Sequence, residues 1–175
     1  MSEAERIIAE CCTLWAPPPK ESISDWAEEH FRLSPEYSAQ TGKLELYKFQ
    51  REPLDAFGDP YTSEIVLMTA TQMIKTLAMQ VCISYAIARD PGPILLAQPT
   101  TTDAETFSKE RLGPMIRDMD CLRTRVAPEK RTSKSNTILQ KVFDGGSLSL
   151  IGAQTAGNFA RRSIRYFFGD ERDKW

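Results

Sequence analysis

The sequence lacks the residue patterns that define several common classes of protein. Its four cysteines include no C-x-x-C pair and it has one histidine, His30, so we expect neither a zinc site nor a disulfide framework. The longest apolar stretches, such as Ile94–Ala97, are far too short to span a membrane. The beginning of the chain carries acids where a secretory signal would carry bases. These absences predict a soluble, intracellular protein.

Charge is distributed unevenly over a chain whose composition is otherwise ordinary. The 175 residues are 41% hydrophobic and 26% charged, enough to bury a core. Residues 1–60 hold 6 Lys/Arg against 12 Asp/Glu, whereas residues 61–175 hold 16 against 12. Basic side chains are densest over residues 111–141 and could follow a phosphate backbone, although a solvated surface of mixed charge explains them equally well.

Glycine is missing from the most informative stretch of the sequence. An apolar run at 65–68, a polar loop and a helical pattern from Thr76 to Arg89 predict a strand, a loop and a helix. In a P-loop of this outline, Lys75 would contact the β- and γ-phosphates and the hydroxyl of Thr76 would bind Mg²⁺. The pattern G-x-x-x-x-G-K-[ST] does not match, because Thr69 and Ile74 replace its glycines. Whether this stretch is a P-loop must therefore be judged from the motifs elsewhere in the chain.

The following segments continue the alternation of strands and helices. Ile94–Ala97 is a continuous apolar run that predicts a buried second strand, which would complete a βαβ unit with 65–68. Thr102–Glu105 is a capping box that predicts a helix up to Leu112, where Gly113-Pro114 would interrupt it. Asp144-Gly145-Gly146 between two β-rich runs predicts a hairpin.

Two further features suit an ATPase. The last apolar run ends on Asp170 and Glu171, where a first acid could hold Mg²⁺ and a second could polarise the attacking water. Gln50 follows an aromatic residue upstream of the loop, where its amide could meet both a donor and an acceptor on adenine. Each feature alone is more often a solvated or exposed side chain, but all of them occur here in the order that such a motor requires.

Several segments resemble the large terminase subunit of tailed bacteriophages, in its lambda gpA-like branch. These are Ala70–Thr76, Asp90–Arg117, Asn136–Lys141 with the glycine hairpin, and Asp170–Trp175. The resemblance implies an α/β fold of the P-loop NTPase (RecA/ASCE-like) type, with a parallel sheet flanked by helices. It covers about residues 45–175, so we expect 1–44 to be a helical N-terminal appendage and linker and 45–175 to be a partial ATPase domain without its C-terminal strands.

The resemblance also assigns roles to residues of this chain. Glu171 and Lys75 would be catalytic, and Thr76 and Asp170 would hold Mg²⁺. ATP would be bound by the residues Gln50, Thr69, Ala70, Thr71, Gln72, Met73, Ile74, Lys75 and Thr76.

The implied activity is ATP hydrolysis that drives double-stranded viral DNA into a procapsid in the cytoplasm of the bacterial host. Implied partners are the DNA, a small terminase subunit, the portal and further copies in a ring, with no membrane. This stretch alone is expected to hydrolyse ATP weakly or not at all.

Two other readings stay open at this point. Ile74 stands where the family normally has glycine, which favours a degenerate P-loop module that no longer hydrolyses ATP and serves assembly. A helicase-type ATPase shares the first two motifs, but the segments Asp90–Arg117 and Asp170–Trp175 favour terminase.

Overall fold

The computed structural model describes residues 3, 21–70, 73–126, 136–160 and 162–175. Of the predicted nucleotide-binding residues, Thr71 and Gln72 lie outside these ranges. No helix in the described ranges has the length and apolar composition needed to cross a membrane.

Six α-helices and six strands occupy the described ranges. The helices are α1 (Ile23–His30), α2 (Lys48–Phe57), α3 (Lys75–Arg89), α4 (Thr101–Phe107), α5 (Gly113–Asp118) and α6 (Asp120–Arg123), with a π turn at Ser108–Leu112 and 3-10 turns at Ala156–Phe159 and Arg172–Lys174. The strands are β1 (Arg32–Leu33), β2 (Gly42–Lys43), β3 (Ile94–Gln98), β4 (Gln140–Phe143), β5 (Gly146–Gly152) and β6 (Tyr166–Gly169).

The principal sheet has four strands in the order β4-β5-β3-β6. The predicted buried strand is confirmed as β3, which is buried along its whole length and runs parallel to both neighbours. The predicted hairpin is also confirmed: β4 and β5 pair antiparallel around Asp144-Gly145, where Gly145 has φ 88°. β1 and β2 form a separate small ribbon.

Helices cover one face of this sheet and form the main hydrophobic core. α3 contributes seven buried apolar residues to it, which accounts for the apolar periodicity of its sequence. Trp26 and Phe31, from α1 and its end, are buried in the same cluster as Ile87 of α3 and Leu148 of β5. The described part of segment 1–44 therefore packs on the sheet-bearing core, while the division of the chain at residue 44 stays a prediction.

The predicted strand at 65–68 is wrong. Within the described ranges these residues are irregular and pair with no strand, and Ile65, Val66 and Met68 are 36%, 69% and 92% exposed. An apolar run becomes a strand only where a neighbouring edge can take its backbone hydrogen bonds, and here none does. The predicted βαβ unit with Ile94–Ala97 is consequently wrong as well. The α/β class is confirmed, and the P-loop arrangement of the sheet stays a prediction.

The helix after β3 differs from its prediction at both ends. Its capping box is formed by Thr100 and Asp103 rather than by Thr102 and Glu105: Asp103 N donates to Thr100 Oγ1 at 3.0 Å, and Thr100 N donates to Asp103 Oδ2 at 3.1 Å. The helical path also continues through Gly113-Pro114, because a π turn precedes them in which the amide of Gly113 donates to the carbonyl of Ser108. The wider turn accommodates a proline ring that would clash in a regular α-helix.

Candidate nucleotide-binding site

The N-terminus of α3 carries positive charge and has no cap. Lys75 is the first helical residue and is exposed, the first turn holds no acid, and no side chain caps the helix. Both the unsatisfied amides and the helix dipole favour an anion there, whereas a lysine at this end opposes the dipole. In the described part of the chain, Lys75 makes no ion pair. The arrangement suits an anionic ligand that would satisfy the amides and the ammonium together.

Ile74 precedes Lys75 and has a backbone that does not require glycine. Its φ of −154° lies outside the left-handed region. Its side chain is 4% exposed and belongs to the main core. The isoleucine therefore turns inward and anchors the loop, while the exposed Met73 and Lys75 lie on either side of it.

Gln50 fastens α2 to this loop. Its Nε2 donates to the carbonyl of Met73 at 3.0 Å, and its Oε1 accepts from the amide of Tyr47 at 3.0 Å. The residue is only 5% exposed. The structure thus brings the predicted adenine-contacting glutamine next to the predicted phosphate loop, with its amide already bonded to the backbone on both sides.

Two aromatic rings stand exposed beside Gln50. Tyr47 and Phe49 stack with centroids 5.9 Å apart and planes 10° from parallel, and they are 65% and 52% exposed. At the other end of α2, Phe57 packs against Tyr166 and Phe168 of β6. One helix therefore contacts both the loop before α3 and the strand that leads to the acid pair.

Asp170 follows β6 and is held on several sides. Its amide donates to the carbonyl of Ala97 at 3.0 Å, and its carbonyl accepts from Trp175 Nε1 at 3.0 Å. One carboxylate oxygen, Oδ2, accepts from Gln98 Nε2 at 3.2 Å. Among the described residues, no cationic side chain pairs with this carboxylate. Its charge is therefore oriented without being neutralised.

Glu171 sits in a strained backbone conformation. It has φ 45° and ψ 50°, which for a residue other than glycine costs about 1–2 kcal/mol. Its Oε2 pairs with Lys174 Nζ at 2.6 Å, and the hydrogen bond to this carboxylate raises the pKa of the lysine. Both side chains are largely exposed, so the pair can exchange with solvent.

The predicted residues form two groups. One comprises Gln50, Met73, Ile74, Lys75 and Thr76 around the start of α3, with Thr69 and Ala70 on the irregular segment before it. The other comprises Asp170 and Glu171 after β6. In the described ranges no hydrogen bond or ion pair joins Lys75 or Thr76 to either acid.

The donor sets fit the two implied ligands. The uncapped N-terminus of α3, with the exposed Lys75, suits a phosphate group. The carboxylate of Asp170, one oxygen of which accepts no hydrogen bond among the described residues, suits Mg²⁺, a cation that prefers oxygen ligands. Thr76, in the first turn of α3, is half-buried and offers a hydroxyl.

A comparison with protein families then identifies the class of domain. Residues 38–175 match the family described as "Phage terminase large subunit gpA, ATPase domain". The match covers most of the chain, which therefore belongs to this family. The resemblance predicted from the sequence is confirmed.

Two curated relatives are similar to the chain. The terminase large subunit of Escherichia phage lambda is 27% identical over 153 residues, which cover 87% of this chain and 24% of that protein. The terminase large subunit of Enterobacteria phage P21 is 27% identical over 160 residues, which cover 91% and 25%. The chain thus spans about a quarter of the length of these relatives.

Sequence reasoning missed Gln98 as a member of the site. The signal was present, because the apolar run 94–97 ends on a polar residue just as the run before Asp170 does. In a parallel sheet the carboxyl ends of neighbouring strands meet at one edge. Only the pairing of β3 with β6 shows that these two ends are adjacent.

Proposed function

We propose that this ATPase domain hydrolyses ATP to drive double-stranded viral DNA into a procapsid. The observation that carries the proposal is the uncapped, lysine-bearing N-terminus of α3, which Gln50 ties to the exposed aromatic pair. Membership of the gpA family gives the reaction class. The degenerate, non-hydrolysing module is not favoured by that membership, and Ile74 adopts a backbone that isoleucine tolerates.

In this proposal the residues of the chain divide the work. Amides at the start of α3 and the ammonium of Lys75 hold phosphate oxygens, while Gln50 and the loop residues place the nucleotide. Thr76 and Asp170 would hold Mg²⁺, which supplies charge neutralisation on the phosphates when it is bound. The ion pair between Glu171 and Lys174 would open. The free carboxylate of Glu171 would then orient a water molecule in line with the γ-phosphorus and accept a proton from that water.

The partners and setting follow from the same proposal. Viral DNA, a small terminase subunit and a portal on the procapsid would act with the full protein, arranged as a homo-oligomeric ring in the host cytoplasm. The chain alone would hydrolyse ATP poorly, since among the described residues no hydrogen bond or ion pair joins Lys75 to Asp170 or Glu171.

Binding of an ATP analogue to the complete protein tests the phosphate site. Lys75→Ala is expected to weaken binding about 10- to 100-fold, the loss of a charge-assisted contact. Lys109→Ala, which removes an exposed lysine of the π turn Ser108–Leu112 that pairs with Glu105, is the matched control and should bind like wild type. Equal affinity of Lys75→Ala and wild type would overturn the assignment.

The rate of ATP hydrolysis tests whether Glu171 is the general base. Glu171→Gln should lower ATP hydrolysis about 10²- to 10⁴-fold while nucleotide binding is retained. Unchanged turnover in this variant would remove Glu171 from the mechanism.

A further inference from the structure

We propose that Gln98 is a positioning residue that orients the carboxylate of Asp170 for the metal-bearing nucleotide. The inference rests on the proposed function and adds a role for Gln98, to which that function assigns none. Its basis is a single contact with a defined geometry: Gln98 Nε2 donates to Asp170 Oδ2 at 3.2 Å.

The backbone fixes both ends of this contact. Gln98 is the last residue of β3, pairs in register with Gly152 of β5, and accepts at its carbonyl from the amide of Ala153 at 2.8 Å. Asp170 is attached to the other side of β3, because its amide donates to Ala97. Gln98 is 5% exposed, so its side chain has little freedom to turn away. The direction of the amide is therefore set by the central strand of the sheet.

The chemistry of the donor matters as much as its position. A neutral amide fixes one carboxylate oxygen and leaves the full negative charge, whereas a lysine or arginine at this place would neutralise it. Glu171 shows the contrast, because its carboxylate is paired with Lys174. Among the described residues, Asp170 Oδ1 accepts no hydrogen bond, so the free oxygen faces no competing donor. An outer residue of this kind sets the direction of a metal ligand and raises metal affinity.

The test is the Mg²⁺ dependence of nucleotide binding by the complete protein. Gln98→Met keeps the length of the side chain and removes the donor. We expect the Mg²⁺ concentration at half-maximal binding of a fluorescent ATP analogue to rise about 10-fold, with analogue binding in the absence of Mg²⁺ unchanged. Turnover should fall at low Mg²⁺ and recover when Mg²⁺ is raised.

A second buried glutamine provides the control for loss of a polar side chain. Gln80 of α3 is 2% exposed, and Gln80→Met should leave the Mg²⁺ midpoint at its wild-type value. Gln98→Leu repeats the loss of the donor with another shape, and Gln98→Asn keeps an amide but draws it back by one methylene from Asp170, so both should also raise the Mg²⁺ midpoint. A lowered melting temperature with an unmoved Mg²⁺ midpoint would overturn the proposal, and so would loss of folding in all three Gln98 variants, since either result would make the contact purely structural.

Asp170→Asn distinguishes a failure of the role of Gln98 from a failure of the proposed Mg²⁺ and nucleotide site. If Asp170→Asn leaves the Mg²⁺ dependence unchanged, the metal role of Asp170 fails and the proposed site fails with it. If Asp170→Asn abolishes the dependence while Gln98→Met matches wild type, only the role of Gln98 is overturned.

Discussion

Gln50 donates from its side-chain amide to the carbonyl of Met73, a residue 23 positions later in the chain. The same amide accepts from Tyr47. The first turn of α2 and the loop before α3 are consequently joined by a polar contact from a buried side chain rather than by apolar packing alone. This contact has measurable consequences for stability even when no nucleotide is present.

Gln50→Ala should lower the free energy of unfolding by about 1–3 kcal/mol, because it removes both hydrogen bonds of a buried side chain, one to the Met73 carbonyl and one from the Tyr47 amide. Urea denaturation of the nucleotide-free protein measures the change. The exposed Gln40, changed to Ala, is the matched control and should unfold like wild type. Coincident unfolding curves for Gln50→Ala and wild type would refute a stabilising role of the two Gln50 hydrogen bonds.

Ile74→Gly distinguishes the ATPase from the non-hydrolysing alternative. The isoleucine is buried, so the glycine should cost about 3 kcal/mol of stability or more through lost core contacts. Calorimetric titration with ATP and Mg²⁺ should show no gain in affinity, because the backbone of residue 74 already suits isoleucine. Tight binding that occurs only in the glycine variant would favour the degenerate module instead.

Met68→Ser tests the correction at 65–68. The side chain is 92% exposed, so the change should alter the free energy of unfolding by less than about 0.5 kcal/mol. Leu96→Ser, in the buried strand β3, is the comparison and should destabilise severely because it buries an additional hydroxyl and leaves a void. A large loss of stability for Met68→Ser would restore the buried strand that the sequence predicts.

Trp26→Ala measures how firmly α1 is attached to the core. The indole is 1% exposed and meets Tyr85 of α3 edge to face, with centroids 5.2 Å apart. Its removal should cost about 3–5 kcal/mol. Glu29→Ala, on the exposed side of the same helix, should change stability little. A small effect of Trp26→Ala would indicate that residues 21–44 fold apart from the sheet.

Tyr166 should make stability depend on pH in the alkaline range. Burial, followed by its hydrogen bond to Asp90, raises its pKa from 10.0 to about 12 in the folded chain. A raised pKa means that the neutral phenol is favoured by folding, so the contribution is complete below pH 10 and is lost as pH rises toward 12. Tyr166→Phe should reduce this slope in unfolding experiments between those values, because burial also raises the pKa of Cys82 and leaves part of the slope in place. An unchanged slope in the variant would contradict the role of Tyr166.

Local patterns in the sequence predicted the elements that depend on local physics. The helix Lys75–Arg89, the buried strand at 94–98 and the glycine hairpin need only periodicity, continuous apolarity and a turn that accepts positive φ. The acid pair after β6 was likewise visible as two charges that end an apolar run.

Properties that depend on distant partners could not be predicted in this way. The run 65–68 has the composition of a strand, yet whether it forms one is decided by a neighbouring edge that a single segment cannot reveal. The capping box was predicted two residues late because Thr100 and Thr102 both suit an N-cap, and only the extended backbone after Pro99 selects Thr100. The contacts of Gln50 and Gln98 depend on tertiary pairing for the same reason.

The central position of β3 also bears on the order in which the chain folds. Its two partners, β5 and β6, enter the sequence about 50 and about 70 residues later, and contacts so distant are slow to form because long loops must close first. The hairpin β4-β5 can form early because its strands are adjacent in the sequence. The pairing of β3 with β5 and β6 should follow later. The contact of Gln98 with Asp170 spans 72 residues and should form last. During synthesis, the apolar strand Ile94–Gln98 must therefore leave the ribosome well before either neighbouring strand can pair with it, which leaves both of its edges open to aggregation in the newly made protein.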